Sequence, residues 1–323
     1  MKKNFDVSVR TITNSSCAIM KTSPTIDFFE IGPPKTGSTI IRECLAEHPQ
    51  IFMYKKGFHY LEDPYYKDMD EEKLKLLFSK AKDNQLKGAK RALALCKSEI
   101  PQRLYNINPK MKIITVLRNP IDRAVSAYFF YINNGKFPCI PIEKGLPELL
   151  KGDIIKKYPL SSEILECGNY YKYLLNYLEY FAINENIKVF FFDDFKKSSG
   201  SFITELYNFL NIDSSYQPNS LNTNVQPSIY SINRLKYATL GNRFRYIYDS
   251  NNVLLKKNNR TFFESIGLRI IEVTDHYICK NIFSNAPPML SSDLKRKLID
   301  YYFPDIKNLE KLLNKDLSTW LEY

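Results

Sequence analysis

The chain has 323 residues, 44% of them hydrophobic and 25% charged, with a formal net charge of +11. That balance belongs to a soluble globular protein with a large core, in one domain or one domain plus an elaboration. The positive surplus suits an anionic ligand, but Lys156–Lys157, Lys196–Lys197 and Lys256–Lys257 are short scattered pairs, so no nucleic-acid partner is expected.

Six cysteines (17, 44, 96, 139, 167 and 279) include no C-x-x-C pair and stand beside only three histidines, so no metal site is expected. Cys44, Cys96 and Cys279 lie in apolar or helix-like contexts and read as buried thiols. Lys2 and Lys3 are not followed by a continuous apolar segment, and no run approaches ~18 apolar residues. The expectations are no signal peptide, no membrane span and a cytoplasmic location. Oligomeric state is left open.

Along the chain, residues 1–25 are polar and read as an irregular N-terminal arm. The run Asp27-Phe28-Phe29-Glu30-Ile31-Gly32 then leads through Lys35-Thr36-Gly37-Ser38-Thr39 into Ile40-Ile41-Arg42, which reads as strand, tight turn and helix. Such a turn directs free backbone N–H groups and the positive end of a helix at an anion. Gly32 and Gly37 have the spacing of a Walker A loop, but Ser38 and Thr39 follow where that loop has its lysine. The lysine lies earlier, at Lys35. Pro49 to Tyr66 reads as loop, Glu71–Lys82 and Ser98–Tyr105 as helices, and Lys87–Leu95 as a short strand and turn.

Lys112 to Leu117 is a second buried-strand run. Arg118 ends it, Asn119 is a good N-cap, and Pro120 suits the first position of a helix running to Tyr131. Residues 133–165 are expected to form an inserted cover, and 214–260 another. Tyr170–Phe181 reads as an aromatic helix, Lys188–Asp194 as a third strand, and Ser201–Leu210 as a helix. Ser291–Tyr302 and Asn308–Trp320 read as two terminal helices. Strands alternating with helices predict an α/β fold: a P-loop-like parallel β-sheet flanked by helices on both faces.

With both turns in view, a family resemblance is visible. Gly32-Pro33-Pro34-Lys35-Thr36-Gly37-Ser38-Thr39 resembles the 5′-phosphosulfate loop of sulfotransferases that use 3′-phosphoadenosine 5′-phosphosulfate (PAPS). Leu117-Arg118-Asn119-Pro120 through Ser126-Ala127-Tyr128 resembles their 3′-phosphate motif. Gly88-Ala89-Lys90 and Gly168-Asn169-Tyr170 are similar to two further family segments. The likeness covers about 26–323, as a single sulfotransferase domain. It is nearest the bacterial and heparan-sulfate-type branch.

The resemblance implies sulfuryl transfer from PAPS to a hydroxyl or amine of a small-molecule natural product or glycan, without a metal. It places Lys35, Thr36, Gly37, Ser38 and Thr39 on the 5′-phosphosulfate, and Arg118 and Ser126 on the 3′-phosphate. Lys90 is expected to touch the acceptor or the transferring group. Lys56, Phe58 and Tyr170 are expected to bind substrate. One departure matters. The family's Lys-Glu-x-His-Phe-Phe segment corresponds to Lys55-Lys56-Gly57-Phe58-His59-Tyr60-Leu61, with no carboxylate where the glutamate stands. His59 is the leading base, because an imidazole titrates near neutral pH; Glu62 and Asp63 are the fallbacks. Two other readings stay open: a P-loop kinase or NTPase, favoured by the acidic end of Lys188–Asp194, and an inactive protein that binds PAPS or its product PAP.

Overall fold

The computed structural model describes residues 26–222, 228–248, 254–257, 259–283 and 286–322. The arm expected over 1–25, and parts of the 214–260 span, lie outside them. The described chain divides into two compact units. The first holds residues 26–32, Ser38–Val116 and Lys172–Leu221; the second holds Pro33–Gly37, Leu117–Tyr171 and the described residues from 222 onward.

The first unit is built on a parallel five-stranded sheet: β1 (Phe28–Glu30), β2 (Ile51–Met53), β3 (Leu86–Lys90), β4 (Lys112–Leu117) and β5 (Ile187–Phe191). Their order across the sheet is β2-β3-β1-β4-β5. From β1 the chain moves outward to β2, and from β4 it moves the other way to β5. The ends of β1 and β4 therefore flank the point where strand order reverses, which is where open α/β sheets bind ligands. Apolar strands covered by helices account for the sheet: Phe28, Ile114 and Val116 pack with Ile41 and Leu45 of the Ser38–Glu47 helix and with Phe202, Leu206 and Leu210 of the Ser199–Leu210 helix. His48, just past the end of that first helix, is buried: Nε2 lies 2.9 Å from the Asp213 carbonyl and Nδ1 accepts from Gln50 N–H at 3.1 Å.

The second unit is mostly helical. Its Pro120–Asn133 helix starts as the sequence predicts, with Asn119 Oδ1 accepting from Ile121 N–H at 2.9 Å and Pro120 in the first turn. The 133–165 span differs from the expected loop. It folds as helices Ile142–Lys151, Asp153–Lys157 and Glu163–Glu166, because Ile142, Gly145, Leu146 and Leu149 recur on one buried face and left-handed Gly152 closes the first of them. The 214–260 span contains helix Ile232–Ala238 and an antiparallel pair, Tyr246–Tyr248 with Leu254–Lys256.

Three further expectations are corrected. The two terminal helices are one, Ser292–Leu313, with Pro304 inside it. Proline removes one backbone donor there, and burial of Tyr302, Ile306 and Leu309 along one face holds the helix through it. Ile51–Met53 is a strand within a segment read as loop; three residues are too few to show alternation. The strand read as Lys188–Asp194 ends at Phe191, and Asp193 and Asp194 lie in the first turn of the Phe192–Lys197 helix. The acidic strand end that favoured a kinase is therefore absent. Cys44 and Cys279 are buried free thiols and Cys96 is half-buried. Among the described residues no helix is long and apolar enough to cross a membrane, and no cluster of three metal-binding side chains exists.

Gly32 closes β1 at φ 88°, and a Cβ there would lie 1.9 Å from the Ala92 carbonyl oxygen. Both the left-handed conformation and the close backbone approach require glycine. Gly32→Ala is expected to destabilise the fold by about 2 kcal/mol or more, measured by urea unfolding.

Candidate active site

In the second unit the loop after β1 is bent by left-handed residues. Lys35 (φ 75°) and Gly37 (φ 84°) follow Gly32 in this conformation. A lysine at positive φ is uncommon, and such strain collects at ligand-binding turns. Thr36 is buried, and its hydroxyl donates to the Pro33 carbonyl at 2.8 Å. That bond fixes the loop and leaves the Thr36 backbone N–H as its means of meeting an anion. The chain then enters the Ser38–Glu47 helix, whose first turn carries no acidic residue. Ser38 is buried and Thr39 exposed. This helix start is therefore open to an anion.

Lys35 is the feature with the clearest electrostatic meaning. Its Nζ lies over the Phe130 ring, 4.8 Å from the centroid, with no carboxylate in ion-pair reach among the described residues. Burial, then the neighbouring Arg118 charge, push its pKa down to about 8. Arg118 Nη1 reaches the Lys35 carbonyl at 3.4 Å, while its approach to Asp122 is a loose 3.9 Å. A surface ion pair with Asp122 therefore does not account for the arginine. Lys35 held beside a second cation makes this turn a candidate anion site.

Ser126 is almost fully buried on the Pro120–Asn133 helix, and its hydroxyl lies 3.2 Å from that of Ser228. Ser228 and Phe130 are site residues that sequence reasoning missed. Phe130 follows Ser126 by one helical turn and could have been found by that spacing. Ser228 arrives from 102 residues away and has no local signal.

Tyr170 is corrected here. It is fully buried against Trp320, and its hydroxyl donates to the Arg118 carbonyl at 2.8 Å. It supports the arginine's backbone and does not present itself to a substrate. On the same helix face as Ser126 and Phe130, one turn further on, Asn133 and Asn134 line a cavity of about 500 Å³ with Asn242, Arg245 and Lys280.

In the first unit, Phe58 is also corrected. It is fully buried among Phe29, Tyr54, Tyr60 and Phe78, so it belongs to the core. Lys56 is exposed. His59 is half-buried and stacks on Tyr60 with ring centroids 4.5 Å apart. Its Nδ1 lies 3.2 Å from the Gly57 carbonyl. A carbonyl only accepts, so in the neutral imidazole this contact puts the proton on Nδ1 and the lone pair on Nε2. The fallback bases are engaged: Glu62 forms a bidentate pair with Arg91, and Asp63 pairs with Arg103 at 3.0 Å.

The first unit also holds a buried charge pair at the C-terminal ends of two strands. Glu30 of β1 and Lys90 of β3 are register partners, with Lys90 Nζ 3.8 Å from Glu30 Oε2. Lys90 is one of the expected site residues; Glu30 lies within the apolar run of β1.

Comparison with known proteins agrees with this geometry. Residues 25–243 match the family model described as "Sulfotransferase domain". Over 154 residues the chain is 26% identical to mouse heparan sulfate glucosamine 3-O-sulfotransferase 6, a match covering 48% of this chain and 43% of that enzyme. It is 26% identical over 137 residues to the membrane-associated sulfotransferase kil1 of Dictyostelium discoideum, covering 40% of this chain and 29% of that protein. The chain thus spans less than half the length of the curated relatives it matches. The fold is shared with a sulfotransferase from Alicyclobacillus acidocaldarius, with a TM-score of 0.63 and 20% identity over 92% of this chain and 99% of that one. The matched family model covers most of the chain, including both turns, and the chain belongs to the sulfotransferase family.

Proposed function

We propose that this protein transfers a sulfuryl group from PAPS to a hydroxyl or amine of a small-molecule natural product or glycan, in line and without a metal. The observation that carries this reading is Lys35: largely desolvated, beside Arg118, and with no carboxylate in ion-pair reach among the described residues. In the transfer the acceptor oxygen or nitrogen bonds to sulfur while the bond from sulfur to the phosphate oxygen breaks. Negative charge collects on the departing phosphate. An ammonium and backbone N–H groups already in place lower the energy of that charge. Lys35 and the 36–39 backbone take this role, and Arg118 and Ser126 hold the 3′-phosphate. One catalytic domain over 26–323 is part of the same proposal.

The cavity lined by Asn133, Asn134, Asn242, Lys280 and the ion-paired Arg245 and Glu272 supports a polar, hydroxyl-rich acceptor. Amides and charged groups of both signs satisfy hydroxyls and have little to offer an apolar ring.

Anion binding restores the Lys35 proton that burial and Arg118 disfavour. The free-protein pKa of about 8 therefore rises in the complex. Affinity for PAP is expected to be flat below pH 8 and to weaken above it, by up to ~10-fold per pH unit. Calorimetric titration across pH 6.5–9.5 measures this. Lys35→Ala is expected to bind at least ~10-fold more weakly and to lose the alkaline decline. An unchanged decline in that variant assigns the titration elsewhere.

His59 is the proposed base, taking the acceptor proton on Nε2. His59→Ala is expected to lower kcat by ~10²–10⁴ with PAP affinity retained. A near-normal kcat would remove the role from the imidazole. PAP binding by the unaltered protein without transfer to any acceptor would favour an inactive binding protein.

A further inference from the structure

Glu30 is fully buried, and neither carboxylate oxygen has a hydrogen-bond partner. A carboxylate in that state is costly, because burial removes its water and nothing replaces the lost hydrogen bonds. The nearest opposite charge, Lys90 Nζ at 3.8 Å, is beyond hydrogen-bond length. A well-packed apolar pair in its place would commonly be neutral or stabilising. The fold therefore gains little from the pair.

The placement is specific. β1 and β3 are parallel and in register, Phe28 opposite Gly88 and Glu30 opposite Lys90, so each couple shares one face of the sheet. At Gly88 the Phe28 ring occupies the space a side chain would need. Two residues on, Lys90 finds a carboxylate beside it. The charged groups around the pair come from three elements: Glu30 on β1, Lys90 on β3, and Arg42 and Glu43 on the Ser38–Glu47 helix. Glu43 is paired with Arg42 at 3.2 Å, and Arg42 also donates to the Lys55 carbonyl at 2.8 Å. Glu30 is thus the carboxylate left to answer Lys90.

We propose that Glu30 is the positioning residue for Lys90: its buried carboxylate keeps the Lys90 side chain protonated and fixed at the end of β3, so that an ammonium ion meets the transferring group. The inference rests on the reading that Lys90 acts in sulfuryl transfer. Glu30 itself is sealed from solvent and does not contact the acceptor. The electrostatics agree in sign. Burial pulls the Lys90 pKa down, Glu30 pulls it up, and Arg42 pulls it down again. Burial raises Glu30 to about 7, and Lys90 opposes that rise. Removing the Glu30 charge leaves burial and Arg42 opposed only by the smaller influence of Glu43, and Lys90 gives up its proton at lower pH.

The test compares the unaltered protein with Glu30→Gln, Glu30→Asp, Lys90→Arg and the Glu30→Gln/Lys90→Arg double variant. With ¹³C-lysine labelling, the Lys90 Cε resonance is identified by its loss in Lys90→Arg and followed against pH. Glu30→Gln is expected to lower its midpoint by about one pH unit or more, and Glu30→Asp, which keeps the charge, by less. The alkaline limb of kcat should move by the same amount, with KM for PAPS little changed. In the Lys90→Arg background, where the side chain stays charged, Glu30→Gln should produce no such shift. An unchanged Lys90 midpoint in Glu30→Gln overturns the proposal. If that variant fails to fold, an unperturbed Lys90 titration and rate profile in Glu30→Asp count against it in the same way. A further variant, Lys90→Ala, separates the two readings: full transfer by it would reject the role of Lys90 in transfer, while the resonance shift still reads the pairing itself.

Discussion

Everything in the proposed chemistry depends on Lys35 being held, charged, where no carboxylate among the described residues reaches it. Its ammonium is largely buried, lies against the Phe130 ring and sits close to a second cation. Left to itself that arrangement is unfavourable, and burial and repulsion together lower its pKa to about 8. The backbone sustains it. Gly32, Lys35 and Gly37 take left-handed conformations, and Thr36 ties its own hydroxyl to Pro33. An arriving anion finds the donors fixed in advance, so little reorganisation is needed when charge develops on the leaving phosphate.

Arg118 is supported in the same manner. Asn119 caps the helix behind it, and Tyr170 holds its carbonyl from a buried position. In the proposed site the residue that meets the ligand and the residue that fixes it are different, and the second kind is what sequence patterns conceal. A tyrosine in an aromatic helix reads alike whether its hydroxyl meets a substrate or a backbone carbonyl. Phe58 misleads for a related reason: it sits among charges in the sequence and among four aromatic rings in the fold.

What could be read from sequence was local. An apolar run, a glycine and the start of a helix identify the turn at Lys35, and Asn119-Pro120 identifies the turn at Arg118. What could not be read depends on distant strands and helices coming together. β2 has three residues, Ser228 reaches Ser126 across 102 positions, and Pro304 lies inside a helix because one buried face outweighs its missing donor. Glu30 is the sharpest instance. In the sequence it is one acid in an apolar strand; in the sheet it is the register partner of Lys90. The chain lacks a carboxylate at Gly57, and it carries one at Glu30, where an apolar side chain would pack more easily. In the proposed reaction the base-side chemistry is thus divided between His59 as the base and a buried pair that holds the charge of Lys90.

The most direct test of the central claim is transfer of label from ³⁵S-PAPS to pooled oligosaccharides and hydroxylated metabolites in the presence of EDTA, resolved by mass spectrometry. The account predicts labelled product from the unaltered protein and none from Lys35→Ala. Equal transfer by both, or transfer that requires a divalent metal, would contradict it.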